Sequence, residues 1–137
     1  MNIAVIGFGR VGGTLARKWA RAGHRIHLGA RNPASENAKA LVAENPEISI
    51  HTINHAVQIA DVIVIVAKAA DTREIAHAMG DVSGKVIIDA MNTVRAGVGE
   101  YTNSTEALRA WTGSADVVKC PHFFISFDYG CTGRNYC

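Results

Sequence analysis

Three glycines near the amino terminus constrain the fold of this chain more than any other feature. Gly7, Gly9 and Gly12 form the pattern G-x-G-x-x-G between an apolar run at residues 2–6 and apolar residues with helical spacing. In this context the first glycine permits a tight turn, the second lets the backbone approach a diphosphate, and the third lets helix and strand pack closely. The pattern predicts a strand, a phosphate-binding loop and a helix; a glycine turn that only packs is the alternative.

Short apolar runs alternate with amphipathic segments up to residue 120. Strands are expected at residues 2–6, 25–28, 48–52, 61–67, 85–89 and 116–120. Helices are expected from Val11 to Gly23, over 33–44 with Asn32 as N-cap, over 54–59, over 71–79 with Asp71 as cap, and from Ser104 or Thr105 to Trp111. This order predicts an α/β fold, a Rossmann-type doubly wound parallel sheet with strand order 3-2-1-4-5-6.

The sequence GARNP follows the second expected strand, where a dinucleotide-binding unit usually carries an acid that holds the adenosine ribose. No acid occurs within residues 1–35, and Arg31 stands at this point instead. A guanidinium can bind a 2′-phosphate bidentately and stack on adenine, so NADP(H) is the predicted cofactor. Arg10 offers a second positive contact or faces solvent, and Ala30 and Asn32 offer backbone or amide groups. A solvated Arg31 is the alternative.

Composition and charge narrow the classes of partner. The net charge of +2 is too small for a nucleic-acid protein that relies on counterion release, and the apolar run at residues 62–67 is too short to span a membrane. The odd count of three cysteines, without framework spacing, favours the reducing cytoplasm. A metal site built from these cysteines and His122 is disfavoured, because no close Cys-x-x-Cys pair occurs. The expected partners are small molecules, with a homodimer also considered.

The character of the sequence changes after Cys120. Residues 121–137 contain five of the nine aromatic residues and two of the three cysteines, with no helical period. Residues 1–120 are therefore predicted to be one NADP-binding domain and residues 121–137 an atypical aromatic-rich tail. A truncated or frame-shifted end of a longer protein would explain the change; a short variant whose tail packs on the sheet is the alternative.

Several segments together resemble one family. MNIAVIGFGRVGGTLARKWARAGHRIHLGARNP, ADVIVIVA, KVIIDAMN and STEALRAWTGSADVVKC are similar to NADP-dependent reductases of the deazaflavin coenzyme F-420. The resemblance covers about residues 1–120, and Gly-x-Arg and Asp-Ala-x-Asn are its more specific motifs. It implies hydride transfer between NADP(H) and a deazaflavin as second substrate. It also implies that Ala67 lies against the nicotinamide ribose and Asn92 near the nicotinamide, while Lys68 reaches a phosphate or faces solvent.

The chain also departs from the family pattern. Gly29-Ala30-Arg31 replaces the common Gly-Ser-Arg, Ala67 to Ala70 replaces Val-Pro and an aromatic, and the family is longer after residue 120. We expect that the tail does not supply the part that covers the second substrate, and that this chain alone is a poor catalyst. The alternatives are a non-catalytic NADPH-binding module and a reductase of another small substrate on the same fold.

The predicted site follows from both lines of argument. No catalytic side chain and no metal ligand are expected, because the cofactors carry the chemistry of hydride transfer. The histidines are scattered along the sequence and are expected to be structural or solvated. The predicted cofactor-binding residues are Gly7, Phe8, Gly9, Arg10, Val11, Gly12, Ala30, Arg31, Asn32, Ala67, Lys68 and Asn92.

Overall fold

A computed structural model describes residues 1–92 and 98–120 of the chain. In this part of the chain, strands alternate with helices in the expected order. The strands are β1 (Asn2–Ile6), β2 (Arg25–Ala30), β3 (Ile48–Thr52), β4 (Val62–Ile65), β5 (Val86–Asp89) and β6 (Val117–Lys119). The helices are α1 (Arg10–Arg21), α2 (Glu36–Glu44), α3 (Ile53–Ile59), α4 (Thr72–Met79) and α5 (Ser104–Thr112), with a 3₁₀ turn (Ala69–Asp71) before α4.

The strands form one parallel sheet with the order β3-β2-β1-β4-β5-β6. The predicted Rossmann-type fold and its strand order are confirmed. The order of connection reverses between β1 and β4, since β2 and β3 lie on one side of β1 and the later strands on the other. Ligands of doubly wound sheets bind at the carboxyl ends of the strands at such a reversal, which directs attention to the loops after β1, β2 and β4.

Both faces of the sheet are covered, as the apolar runs predict. In β1, Ala4 and Ile6 pack in the cluster that includes residues of α3, α4 and α5, whereas Ile3 and Val5 pack with residues of α1 and α2. This division follows from the alternation of side chains along a strand. A strand buried on both faces fixes the position of its carboxyl end, and therefore of the glycine loop that follows β1.

The capping of three helices differs from the predictions. Helix α2 begins at Glu36 instead of residue 33, because the Oδ1 of Asn32 accepts the N–H of Ala34 at 3.0 Å and closes a turn before the helix. Helix α5 has Asn103 as its N-cap, and the Oδ1 of Asn103 accepts the N–H of Glu106 at 2.9 Å. Asp71 does precede α4, but its side chain makes no capping hydrogen bond. The side chains expected as caps have other partners, described below.

Three histidines lie together: His27 in β2, His51 in β3 and His55 in α3. The ring nitrogens of His27 lie 3.0 Å from the Oγ of Ser49 and 3.0 Å from the Oδ1 of Asn2. The same Oγ lies 2.9 Å from the Nε2 of His51, whose ring is 4.8 Å from that of His55. Burial lowers the pKa of His27 and His51 below the ordinary value, and the neighbouring histidines lower it further.

This cluster predicts that acid destabilises the fold. A histidine whose pKa is lowered in the folded state contributes stability above its ordinary pKa of 6.5 and loses that contribution as the pH falls through the lower folded value. We expect the thermal midpoint to fall between about pH 7 and pH 5, and His27→Gln to reduce that fall. His77→Gln, which changes an exposed histidine on α4, is the control. Equal pH profiles for wild type and His27→Gln would contradict this role.

Candidate functional site

The glycine loop after β1 has the geometry that each glycine position requires. Gly7 has a φ of +86°, and a Cβ there would lie 2.6 Å from the carbonyl oxygen of Val66. A Cβ at Gly12 would collide with the carbonyl oxygen of Gly7, so helix α1 can pack against the loop only because Gly12 lacks a side chain. A Cβ at Gly9 would meet nothing within 4 Å, which leaves open space in front of the loop.

Helix α1 begins directly after this loop, with Gly9 as its N-cap. No side chain caps α1, and its first turn contains no acid. The N–H groups of the first turn of a helix have no acceptor within the helix, and the helix dipole favours an anion at this end. The open space at Gly9 together with the uncapped helix end suits a phosphate group.

A cleft of about 530 Å³ opens at the carboxyl ends of β1, β2 and β4. Eight of the twelve predicted residues line it, namely Gly7, Phe8, Gly9, Ala30, Arg31, Asn32, Ala67 and Lys68. The loops after three different strands thus meet at one site, as expected from the strand order. Its lining residues run from the end of β2, across the glycine loop, to the segment after β4.

The other four predicted residues, Arg10, Val11, Gly12 and Asn92, do not line the cleft. Arg10 and Val11 form the first turn of α1, and Gly12 is buried against the loop. Asn92 is exposed and follows the buried Met91 after β5. The lining residues that were not predicted are Ile6, Gly29, Ser35, Asn37, Ile53, Val66, Asp71 and Ile75. Five of these are apolar residues or glycine, with no polar chemistry that a sequence pattern could single out; Ser35, Asn37 and Asp71 are polar.

Arg31 is paired with two carboxylates in this structure. Its Nη2 lies 3.1 Å from the Oδ1 of Asp71, and its Nε lies 3.1 Å from the Oε1 of Glu74. Arg31 follows β2, whereas both acids follow β4, so these ion pairs cross the carboxyl end of β1. The absence of an acid near Arg31 in the sequence therefore does not mean the absence of an acid near it in space. The side chain expected as a cap of α4 serves this pair instead.

Another acid, Asp89, lies at the carboxyl end of β5 and contacts residues of α5 and β6. It is fully buried, and its Oδ2 accepts the hydroxyls of Ser104 at 2.5 Å and Thr105 at 2.7 Å. The Nζ of Lys119 lies 3.3 Å from the same Oδ2, and the N–H of Met91 donates to Oδ1 at 2.9 Å. Asp89 is the last residue of β5, and these bonds tie that strand end to α5 and β6. These bonds also explain why Ser104 and Thr105 do not cap α5.

Removal of this carboxylate should destabilise the fold strongly. Asp89→Ala removes the acceptor of two hydroxyls and an N–H group at a position with no access to solvent, whereas the partly exposed Lys119 ammonium keeps the carbonyl of Met91. We expect the free energy of unfolding to fall by about 3 kcal/mol, measured by urea denaturation. Asp116→Ala, at an exposed aspartate, is the matched control and should change it by less than about 0.5 kcal/mol. Equal losses in both variants would contradict this assignment.

The described residues contain neither a metal-binding cluster nor a membrane-spanning helix. Among residues 1–92 and 98–120, no group of three or more histidine, cysteine, aspartate or glutamate side chains is placed to hold a metal ion. Cys120 is a free cysteine. The other residues of the disfavoured metal site, His122, Cys131 and Cys137, lie outside the described residues. Within the described part, no helix is long and apolar enough to cross a membrane.

The sequence of this chain matches one family of known proteins. Residues 2–93 match the family model described as NADP oxidoreductase, coenzyme F-420-dependent. These residues include the glycine loop, Arg31 and the segment after β4. The chain belongs to this family. No significant match was found among curated protein sequences.

Solved structures agree with this NADP oxidoreductase assignment. A protein from Arthrobacter sp. FB24, assigned as an F-420-dependent NADP reductase, is 25% identical with a TM-score of 0.75, over 87% of this chain and 61% of its own. A hypothetical protein from Sinorhizobium meliloti is 23% identical with a TM-score of 0.72, over 91% and 65%. A reductive aminase from Aspergillus terreus, solved with NADPH and ethyl levulinate, shares the fold at 18% identity and a TM-score of 0.66, over 86% and 39%.

This chain spans less than two thirds of the length of the first two of these proteins. The shared part is the nucleotide-binding fold that carries the cleft. The cleft fits the dinucleotide of an NADP oxidoreductase on chemical grounds. The loop leaves open space at Gly9, α1 presents its amino end there, and Arg31 and Lys68 carry positive charges along the lining.

Proposed function

We propose that this chain binds NADP(H) in the cleft and takes part in hydride transfer to or from a deazaflavin. The single observation that carries the proposal is Arg31 at the carboxyl end of β2, in the same cleft as the glycine loop. Family membership supports the cofactor, and the position of Arg31 supports its phosphorylated form. The carboxylates of Asp71 and Glu74, which are paired with Arg31, argue against a simple phosphate site.

The strand order determines how the cofactor is oriented in the proposal. The diphosphate lies at the amino end of α1, in front of Gly9. The adenosine end extends towards Arg31 and Asn32 after β2, and the nicotinamide end extends towards Ala67 after β4 and Asn92 after β5. Phe8, Arg10 and Val11 border the diphosphate, and Ala30 borders the adenosine. Lys68 lies on the rim of the cleft, where its ammonium group can reach a phosphate.

When bound, the nicotinamide ring supplies or takes up the hydride. The task of the protein is to hold that ring at the end of the cleft and to exclude water from one of its faces. The small side chain of Ala67 leaves room for the ribose. Asp89 fixes the backbone before Asn92 through the N–H of Met91 and anchors it to α5 and β6, so Asn92 projects from a rigid support.

The deazaflavin is the acceptor proposed because the family is defined by coenzyme F-420 and the Arthrobacter protein is assigned to that reaction. A non-catalytic NADPH-binding module is the second candidate, since the cleft and the glycine loop by themselves account only for nucleotide binding. A reductase of another small substrate is the third, supported by the shared fold alone. A cytoplasmic location and a homodimer are part of the proposal; the odd cysteine count supports the first.

Two measurements on the full chain test the proposal. NADPH and NADH are first titrated against the protein by calorimetry, and turnover with NADPH and oxidised coenzyme F-420 is then followed by absorbance without oxygen. Tight NADPH binding with turnover supports the deazaflavin reductase. Tight NADPH binding without turnover, with this acceptor or with imine and 2-oxo acid acceptors, supports the binding module. Failure to bind either nucleotide would show that the proposed cofactor is wrong.

A further inference from the structure

We propose that Asp71 and Glu74 lower the preference of this chain for the phosphorylated cofactor, by competing with its 2′-phosphate for Arg31. The inference rests on the proposed function, since it concerns how NADP(H) is distinguished from NAD(H) in the same cleft. It assigns a role in cofactor specificity to two acids that follow β4. The motifs of the dinucleotide-binding loop do not include these positions.

The geometry of the guanidinium carries the first step. Arg31 directs Nη2 at Asp71 and Nε at Glu74, each at 3.1 Å, so the edge formed by these two nitrogens is occupied by two separate carboxylates. A phosphate is bound most strongly when two N–H groups of one edge donate to it in parallel. Arg31 can offer this edge to a 2′-phosphate only by leaving both acids.

The local charge carries the second step. One guanidinium and two carboxylates sum to a net charge of −1, so the positive charge of Arg31 is already compensated before a phosphate dianion approaches. Asp71 also lines the cleft itself, which places its carboxylate close to any group bound beside Arg31. A 2′-phosphate would therefore lose part of its attraction to Arg31, whereas a 2′-hydroxyl carries no charge and loses none.

The exposure of the three side chains sets the size of the effect. Arg31 is 51% exposed, Asp71 32% and Glu74 63%, so solvent and salt screen both ion pairs. Competition at this level adjusts affinity without abolishing binding. We expect the double variant Asp71→Asn/Glu74→Gln to bind NADPH about three- to tenfold more tightly at low salt, with NADH affinity unchanged within about twofold.

The experiment compares NADPH and NADH affinities of the full chain for wild type, the double variant and a charge-matched control. The control is Glu47→Gln/Asp116→Asn, which neutralises exposed acids before β3 and β6, at the amino ends of the strands. The single variants Asp71→Asn and Glu74→Gln are measured beside the double one, and circular dichroism confirms that each is folded. The gain for NADPH should shrink at high salt and should largely disappear when Arg31→Ala is added.

The outcomes separate this inference from the proposed function. If wild type binds NADPH but the double variant binds it equally or less tightly, the inference is wrong, because the acids then have no effect or hold Arg31 in its binding position. A ratio that rises only because NADH binds less tightly also overturns it, since Asp71 would then be a ligand of the ribose. If no protein in the series binds either nucleotide, the proposed function itself fails.

Discussion

Arg31→Ala is expected to remove most of the preference of this chain for NADPH over NADH. A charge-assisted contact to a phosphate contributes about 1.5–3 kcal/mol, which corresponds to roughly ten- to a hundredfold in affinity. The loss should lie near the lower end of that range, because Asp71 and Glu74 already occupy two nitrogens of the guanidinium. NADH affinity should change little, since the 2′-hydroxyl does not need the charge. Calorimetric titration with both cofactors measures the ratio.

Arg25→Ala is the matched control for this variant. Arg25 lies at the amino end of the same strand, and its highly exposed side chain is 3.9 Å from the carboxylate of Glu47. It removes the same charge from the opposite end of the sheet. Equal losses of NADPH affinity in both variants would indicate a general effect of net charge, and an unchanged NADPH to NADH ratio in Arg31→Ala would contradict the predicted role of Arg31.

Gly9→Val is expected to block the cofactor and leave the protein folded. Gly9 has a φ of −68°, which is open to residues with side chains, and a Cβ there meets nothing within 4 Å. The added side chain would instead occupy the space where the diphosphate is proposed to lie. We expect the affinities for NADPH and NADH to fall together by roughly ten- to a hundredfold, because overpacking costs about 1–3 kcal/mol. Thermal unfolding and titration are measured on the same sample.

Gly12→Ala provides the contrast in the same loop. Its Cβ would collide with the carbonyl oxygen of Gly7, so this variant should lower the thermal midpoint, whereas Gly9→Val should not. The pair of variants distinguishes a clash with the ligand from a clash within the fold. Normal NADPH affinity in a folded Gly9→Val protein would show that the diphosphate does not lie at this loop.

The sequence by itself determined the elements and their arrangement. The periodicity of the apolar residues predicted the strands, and their alternation with helices predicted the order β3-β2-β1-β4-β5-β6, which the structure confirms. The glycine loop was equally readable, because the conformation at Gly7 and the packing at Gly12 depend on neighbours that are local or adjacent in the sheet. Regular spacing and the lack of a side chain are properties that a sequence displays directly.

Only the tertiary structure decided which polar side chains meet. No acid precedes Arg31 in the sequence. The parallel sheet nevertheless brings the ends of β2 and β4 to either side of β1, and so places Asp71 and Glu74 beside Arg31. The sequence pattern predicts Ser104 or Thr105 as a helix cap, but both hydroxyls donate to the buried carboxylate of Asp89. A polar side chain has several partners of similar strength within reach, and the packing of distant elements determines which of them is closest.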